Sequence, residues 1–436
     1  MKINELKNKK ILILGFAREG QDTLKFLKKL FPENILGIAD KLELKKLEKE
    51  AQKLIQNKKY SKNIKLYLGE NYLKSLRNYE IIIKSPGIPP KTIKPFINKK
   101  QIITSQTEIF FENCSNLIIG VAGTKGKGTT SSLIYQILKR GGLKVHLIGN
   151  IGTPVLLFLL KAKKDEIFVY ELSSFQLMNL KKSPHISVIL NSYRDHLDYH
   201  KDYKEYLEAN ANIARYQTKN DFLIYNYYDL FTKKIIKKFK GKKISIKGIY
   251  YNLNREAART VGKLLKISNK DIKKAIEKFK SLPHRLEYVG KYQGINFYND
   301  SLATIPEATI AALDVLKDKV ETIILGGHER NADFKDLAKR VLVRNKIKNI
   351  ILFPTTGKRI WNDIVKIHKN KNFIKLPRHF FVDNMKDAIK LAYQYTSKEK
   401  TCLLSCASAS FSIFKDYRER GDLFKKYIKR YGQKQK

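Results

Sequence analysis

Short apolar runs alternate with longer amphipathic stretches along almost the whole chain. The runs fall at Ile11 to Gly15, Glu80 to Lys84, Leu117 to Val121, Ile167 to Glu171, Ile186 to Asn191, Phe222 to Tyr225, Ile323 to Leu325, Ile350 to Phe353 and Cys402 to Ser405. Near-continuous hydrophobicity suits strands buried on both faces, and stretches such as Thr23 to Leu30 and Ser132 to Leu138 carry the helical period between them. This pattern predicts an α/β protein with mostly parallel sheets and functional loops at the carboxyl ends of the strands.

At 436 residues the chain exceeds one ordinary core. Three blocks are expected. The first, 1–105, opens with a strand and the turn Gly15-Phe16-Ala17-Arg18-Glu19-Gly20 and closes after Ser85-Pro86-Gly87-Ile88-Pro89-Pro90. The second spans 106–283, and the third, 284–436, begins after the Ser281-Leu282-Pro283 turn. The opening turn resembles a nucleotide-binding turn without the full G-x-G-x-x-G, and a plain tight βα turn fits it equally. No internal repeat is visible, and only Gln433 to Lys436 forms a polar tail.

With 43% hydrophobic residues and only Cys114, Cys402 and Cys406, the composition suits a globular protein of a reducing compartment, without a disulfide framework. The longest uncharged apolar run, Gly152 to Leu160, is far short of the roughly 20 residues of a membrane span, and no signal peptide is visible. A cytoplasmic monomer is expected. The 87 basic and 41 acidic residues leave a formal charge of +46, attractive to any polyanion. The densest patch, Lys233 to Lys243, has helical spacing and reads as a solvated helix face or a phosphate-binding stripe. No zinc-finger spacing or aromatic RNA-binding signature accompanies it, so no specific nucleic-acid partner is expected.

The strongest local signal is Gly120-Val121-Ala122-Gly123-Thr124-Lys125-Gly126-Lys127-Gly128-Thr129-Thr130, between an apolar strand and a helical pattern. Glycines let backbone N–H groups converge on phosphate oxygens, the helix N-terminus adds its dipole, and Lys127 supplies a point charge. Gly128 stands where a hydroxyl usually completes a magnesium shell, and Thr129 is the candidate replacement. The next strand delivers Glu171 to the sheet edge, followed by Leu172-Ser173-Ser174. A carboxylate there suits Mg²⁺, while the serines suit a helix cap. A third strand leads into Asn191 and the string Asp195-His196-Leu197-Asp198-Tyr199-His200. Its spacing and lack of cysteines favour magnesium-linked or substrate roles over zinc, with His196 the leading member.

These strings, with Leu282-Pro283-His284-Arg285-Leu286-Glu287 and Asn299-Asp300-Ser301, resemble the ATP-dependent Mur ligases, the amide-bond formers of peptidoglycan precursor synthesis. Gly326-Gly327 with Ala332-Asp333-Phe334, then Leu403-Leu404-Ser405, Ala409-Ser410-Phe411 and Arg420-Gly421, resemble its D-glutamate-adding branch. The resemblance runs from the Gly15 turn to Gly421 in the family's order.

It implies three α/β domains: an N-terminal Rossmann-like one for the uridine nucleotide, a central P-loop ATPase and a C-terminal Rossmann-like one for the amino acid. ATP and Mg²⁺ are the implied cofactors, and UDP-N-acetylmuramoyl-L-alanine and D-glutamate the implied substrates. Lys127, Glu171 and His196 are the implied catalytic residues, and Thr129, Glu171 and His196 the metal-side ones. ATP would be held by Gly123, Thr124, Lys125, Gly126, Lys127, Gly128, Thr129, Thr130, Asn254, Arg285 and Asp300. Asn150 and His196 would face the muramoyl peptide, and Thr304, Arg330, Ser410 and Tyr417 the incoming D-glutamate, Arg330 replacing a usual lysine.

Other departures are Asn210 for a lysine that becomes carbamylated, Leu302 for another lysine, and Tyr250-Tyr251 for His-Asn, where a tyrosine could stack on adenine. Lys125, Lys201 and Lys204 are candidates to restore the lost charge. The alternatives are a Mur-type or folylpolyglutamate ligase with another acceptor, a substrate-binding but feeble or inactive paralogue, and a nucleic-acid-dependent P-loop ATPase.

Overall fold

The computed structural model describes residues 1–57, 60, 62–196, 198–371 and 375–433. Leu197 and tail residues 434–436 therefore lie outside the described residues. The described residues form three sheets, one for each expected block.

The first sheet has strands β1 (Ile11–Leu14), β2 (Leu36–Asp40), β3 (Ile64–Leu68), β4 (Ile81–Lys84) and β5 (Ile102–Thr104), all parallel, in the order β3-β2-β1-β4-β5. The second contains β6 (Leu117–Ala122), β7 (Val145–Gly149), β8 (Ile167–Glu171), β9 (Ile186–Ile189), β10 (Phe222–Asn226) and β11 (Lys242–Ile246), again parallel, ordered β11-β10-β9-β6-β8-β7. The third comprises β12 (Glu287–Tyr292), β13 (Ile295–Asn299), β14 (Val320–Gly326), β15 (Asn349–Phe353), β16 (Arg378–Phe381) and β17 (Thr401–Leu404), ordered β12-β13-β17-β14-β15-β16. Only β12 and β13 pair antiparallel, joined through Gln293 (φ 49°) and Gly294 (φ 80°), the positive angles that a tight hairpin turn requires.

Two compact units result. One holds 1–248 with 252–278 and carries the first two sheets; the other holds 249–251 with 279–436 and carries the third. Within the second unit, Ile323, Leu325, Ile350, Leu352 and Leu403 fill one core layer. Their chain neighbours Ile324, Ile351, Phe353, Cys402 and Leu404 fill the other. Burial on both faces explains why these strands are continuous apolar runs rather than alternating ones.

The basic patch at 233–243 does not form the expected helical stripe. A helix covers Leu230–Ile235, a 3₁₀ turn Ile236–Lys238, and Lys242 and Lys243 begin the outermost strand β11. Exposed lysines on an edge strand disfavour pairing with another chain. Among the described residues, no helix is long and apolar enough to cross a membrane.

Candidate active site

The buried strand β6 ends in the glycine loop, and the helix Lys127–Arg140 starts directly after it. Gly126, at φ 89°, caps that helix, and a Cβ on it would lie 2.3 Å from Asn254 Oδ1. Loop and Asn254 are thus in direct apposition, although 128 positions separate them in the chain. Asn191 clamps the loop from both sides: its Oδ1 accepts from Lys125 N at 2.8 Å and its Nδ2 donates to Lys125 O at 2.9 Å. Tyr206 adds a hydroxyl contact of 2.6 Å to Thr124 Oγ1. Lys127 Nζ folds over the loop and donates to the carbonyls of Gly123 (2.7 Å) and Thr124 (3.1 Å).

Helix geometry leaves first-turn N–H groups without internal acceptors, which suits an anion at this end. Gly128 is buried there, Thr129 is half-buried, and Thr130 Oγ1 is buried with no hydrogen-bond partner among the described residues.

Glu171 closes β8 at the carboxyl edge and is 5% exposed. Among the described residues its carboxylate has no hydrogen-bond or ion-pair partner. An unpartnered, nearly buried carboxylate fits a hard cation such as Mg²⁺. Asn150 is exposed beside it and donates its backbone N–H to Glu171 O at 3.3 Å. The capping role also holds: Ser173 and Gln176 form a reciprocal capping box on the short helix Ser174–Leu177. Among the described residues no three His, Cys, Asp or Glu side chains gather as a metal cage.

Asp195 and His196 lie opposite the loop. Asp195 Oδ2 is 3.0 Å from Lys125 Nζ and 3.9 Å from His196 Nε2, while Oδ1 accepts from the His196 backbone N–H at 3.0 Å. Burial acts to raise the Asp195 carboxyl, but the Lys125 and His196 charges and the hydrogen bonds bring it below its ordinary value. His196 packs against Phe175 with ring centroids 4.9 Å apart. Partial burial, helped by Lys127 and Lys125 and opposed by Asp195, lowers its pKa, favouring a neutral imidazole.

Sequence reasoning missed a buried polar cluster behind Ser173. Gln176 Nε2 donates to Glu19 Oε1 at 2.9 Å, and Gln106 Nε2 to Asp22 Oδ2 at 2.7 Å. Burial raises Glu19 to about 7 and Asp22 to about 6, and lowers Lys84 to about 8. Glu19 belongs to the quoted opening turn, but its partner Gln176 is 157 positions away, so no local spacing reveals the pair.

Arg285, Asp300, Thr304, Arg330, Ser410 and Tyr417 lie in the second unit. Asp300 accepts from Leu286 N and Ser405 Oγ, both at 2.9 Å, and burial pushes its carboxyl up to about 7. Tyr251 is not the tyrosine of this pair that is offered for stacking: its side chain hydrogen-bonds to Asp300 and it packs on the third sheet's core. The Arg330 guanidinium lies 5.8 Å from the Phe411 ring centroid, beside buried Ser410. Tyr417 begins the helix Tyr417–Gly432, and its carbonyl accepts from Ser301 Oγ at 2.8 Å. Thr304 is half-buried in the loop after β13.

Residues 121–303 match the model of the Mur ligase middle domain, and residues 284–409 that of the Mur ligase glutamate ligase domain. The chain is 31% identical over 466 residues to a UDP-N-acetylmuramoylalanine--D-glutamate ligase of Acetivibrio thermocellus, with 97% of each chain covered. It is 32% identical to the protein of the same name from Clostridium tetani, with 98% of each covered. Among solved structures, MurF ligase of Thermotoga maritima in complex with ADP aligns with a TM-score of 0.57 at 16% identity, covering 98% of this chain and 97% of that one. UDP-N-acetylmuramate-alanine ligase MurC from Thermotoga maritima aligns at 0.58 and 15% identity, covering 97% and 99%. At these identities the two structures attest the fold alone.

Proposed function

The chain belongs to the Mur ligase family, and on that premise we infer that it is an ATP-dependent acid–amino-acid ligase joining D-glutamate to UDP-N-acetylmuramoyl-L-alanine. The observation that carries this reading is the end-to-end likeness to D-glutamate ligases, which takes in a glycine loop backed by Asn254 and roofed by Lys127.

Lys127 and the amides opening Lys127–Arg140 hold the ATP phosphates, with the backbone of the loop from Gly123 to Gly128, Thr129 and Thr130 forming the cradle, while the Lys125 side chain turns away to Asp195. Asn254, Arg285 and Asp300 take other parts of the nucleotide. Mg²⁺, when bound, neutralises charge on the phosphoryl oxygens, and Thr129, Glu171 and His196 are the residues that would hold it. Asn150 and His196 orient the muramoyl-peptide carboxylate. That carboxylate attacks the γ-phosphorus and ADP leaves, giving an acyl phosphate. The deprotonated amine of D-glutamate then attacks the acyl carbon, and phosphate departs as the amide forms. Thr304, Ser410 and Tyr417 position the amino acid, and Arg330 offers its side-chain carboxylate a bidentate fork. The blocks 1–105, 106–283 and 284–436 divide these tasks as uridine-nucleotide, ATP and amino-acid domains. Such substrates place the work in the cytoplasm.

Phosphate release is the test: it should require UDP-N-acetylmuramoyl-L-alanine plus D-glutamate, and fail with L-glutamate, L-alanine or folate controls. Activity with only another acceptor overturns the assignment. A second reading, a substrate-binding protein without turnover, draws on Asn210, whose buried amide is tied to Tyr206 O at 2.9 Å. Ligand-induced thermal stabilisation with no product would favour it.

A further inference from the structure

The phosphate loop carries two lysines, and only the Lys127 side chain is used by the chemistry above. Lys125 points the other way. Its Nζ meets Asp195 Oδ2 at 3.0 Å, with the two side chains 24% and 13% exposed, so solvent screens this pair less than a surface one. Its own backbone is immobilised by the two Asn191 hydrogen bonds. The lysine therefore approaches Asp195 from a fixed base.

Asp195 passes the constraint on. While Oδ2 holds the ammonium, Oδ1 accepts from the backbone N–H of His196. His196 has φ 57°, a left-handed conformation that non-glycine residues rarely adopt and that persists where the surroundings impose it. Its imidazole is 43% exposed, so packing alone does not fix it. The other candidates for restoring lost charge, Lys201 and Lys204, are exposed and have no ion pair among the described residues.

We propose that Lys125 is a positioning residue of the ligation site: through Asp195 it locks His196 in its left-handed conformation against the phosphate loop. The role rests on the nucleotide and metal site inferred above, and not on turnover. It gives this chain, which has Gly128 where the loop enters its helix and Asn210 tied back to Tyr206 O, a link that fixes His196 before a nucleotide or cation arrives.

The test uses the full-length protein with Lys125→Met, Lys125→Arg, Asp195→Asn and the double variant Lys125→Met/Asp195→Asn, each first checked by thermal melting. Metal-free ADP affinity is measured by calorimetry, and Mn²⁺ affinity of the enzyme–ADP complex by paramagnetic resonance. Lys125→Met should bind metal-free ADP like the parent yet hold Mn²⁺ about tenfold more weakly, the usual scale for losing a partner behind a metal ligand. In turnover, kcat should fall while the KM for ATP stays near the parent's. Lys125→Arg should restore Mn²⁺ affinity, Asp195→Asn should copy the Lys125→Met defect, and the double variant should be no worse than either single one.

Unchanged Mn²⁺ affinity in Lys125→Met, or additive losses in the double variant, overturns the proposal. So does a loss of metal-free ADP binding as large as that of Lys127→Met, which would make Lys125 a direct phosphate contact. If the parent protein makes no amide product but the binding pattern holds, the ligation reading falls and the positioning role stands.

Discussion

The Arg420 guanidinium donates from both Nη1 and Nη2 to the Ser408 carbonyl, each at 3.1 Å, in a site where the side chain is fully buried. The same group reaches Ser301, Nε to Oγ at 3.0 Å and Nη2 to the carbonyl at 2.7 Å. One buried cation thus ties the loop after β13 to the loop after β17, which carry Thr304 and Ser410. Arg420→Met leaves those carbonyls unpaired and should cost about 3 kcal/mol of stability in urea unfolding. In the folded fraction the KM for D-glutamate should rise, while ADP affinity stays within error. Equal damage to both would argue against a role local to the acceptor loops.

Gly126 cannot carry a side chain: φ is 89° and a Cβ would lie 2.3 Å from Asn254 Oδ1. Gly126→Ala should destabilise by about 1–2 kcal/mol from the left-handed backbone alone. Displacing Asn254 should also weaken ADP binding, read by calorimetry. Normal ADP affinity would show that the contact is incidental to nucleotide binding.

Asn210 has no amine to carbamylate, and its Nδ2 is occupied by Tyr206 O. The ligation rate should therefore be indifferent to bicarbonate. Rates measured in degassed buffer with and without added bicarbonate check this, and bicarbonate stimulation would contradict it.

Burial raises Glu19 to about 7, Asp22 to about 6 and Asp300 to about 7, so the fold keeps protons that the unfolded chain releases at lower pH. Their contribution to stability is complete below the ordinary carboxylate range and is lost as pH rises through these values. Melting temperature should decline from pH 5 to pH 8 on their account, and Glu19→Gln should flatten that decline. An unchanged slope in Glu19→Gln would contradict the raised carboxyl.

Legibility in the sequence follows the range of the interactions. Most strands inside the sheets are legible because burial on both faces makes them continuous apolar runs, as in Ile167–Glu171; Leu36–Asp40, broken by Gly37, and Ile295–Asn299, broken by Asn296 and Tyr298, are not. Edge strands such as Lys242–Ile246 and Arg378–Phe381, with solvent on one side, look polar and give no continuous apolar run. For the same reason the spacing of the lysine run at 233–243 hides the change from helix to edge strand. The glycine loop, Glu171 and His196 stood out because each sits at a strand end within a few residues of its own signal. The Lys125–Asp195 and Arg420–Ser301 links join residues 70 and 119 positions apart, and only the folded chain brings them together.

Everything proposed for the site depends on Lys127 and its neighbouring amides gripping the triphosphate whose end group passes to a carboxylate. The most direct measurement is amide product formed from UDP-N-acetylmuramoyl-L-alanine, D-glutamate and ATP by the parent protein and by Lys127→Ala. A drop in kcat of about 10²-fold or more, on the scale of losing one preorganised charge-stabilising group, is the expected result. Parental ATP affinity and parental product yield in Lys127→Ala would contradict it.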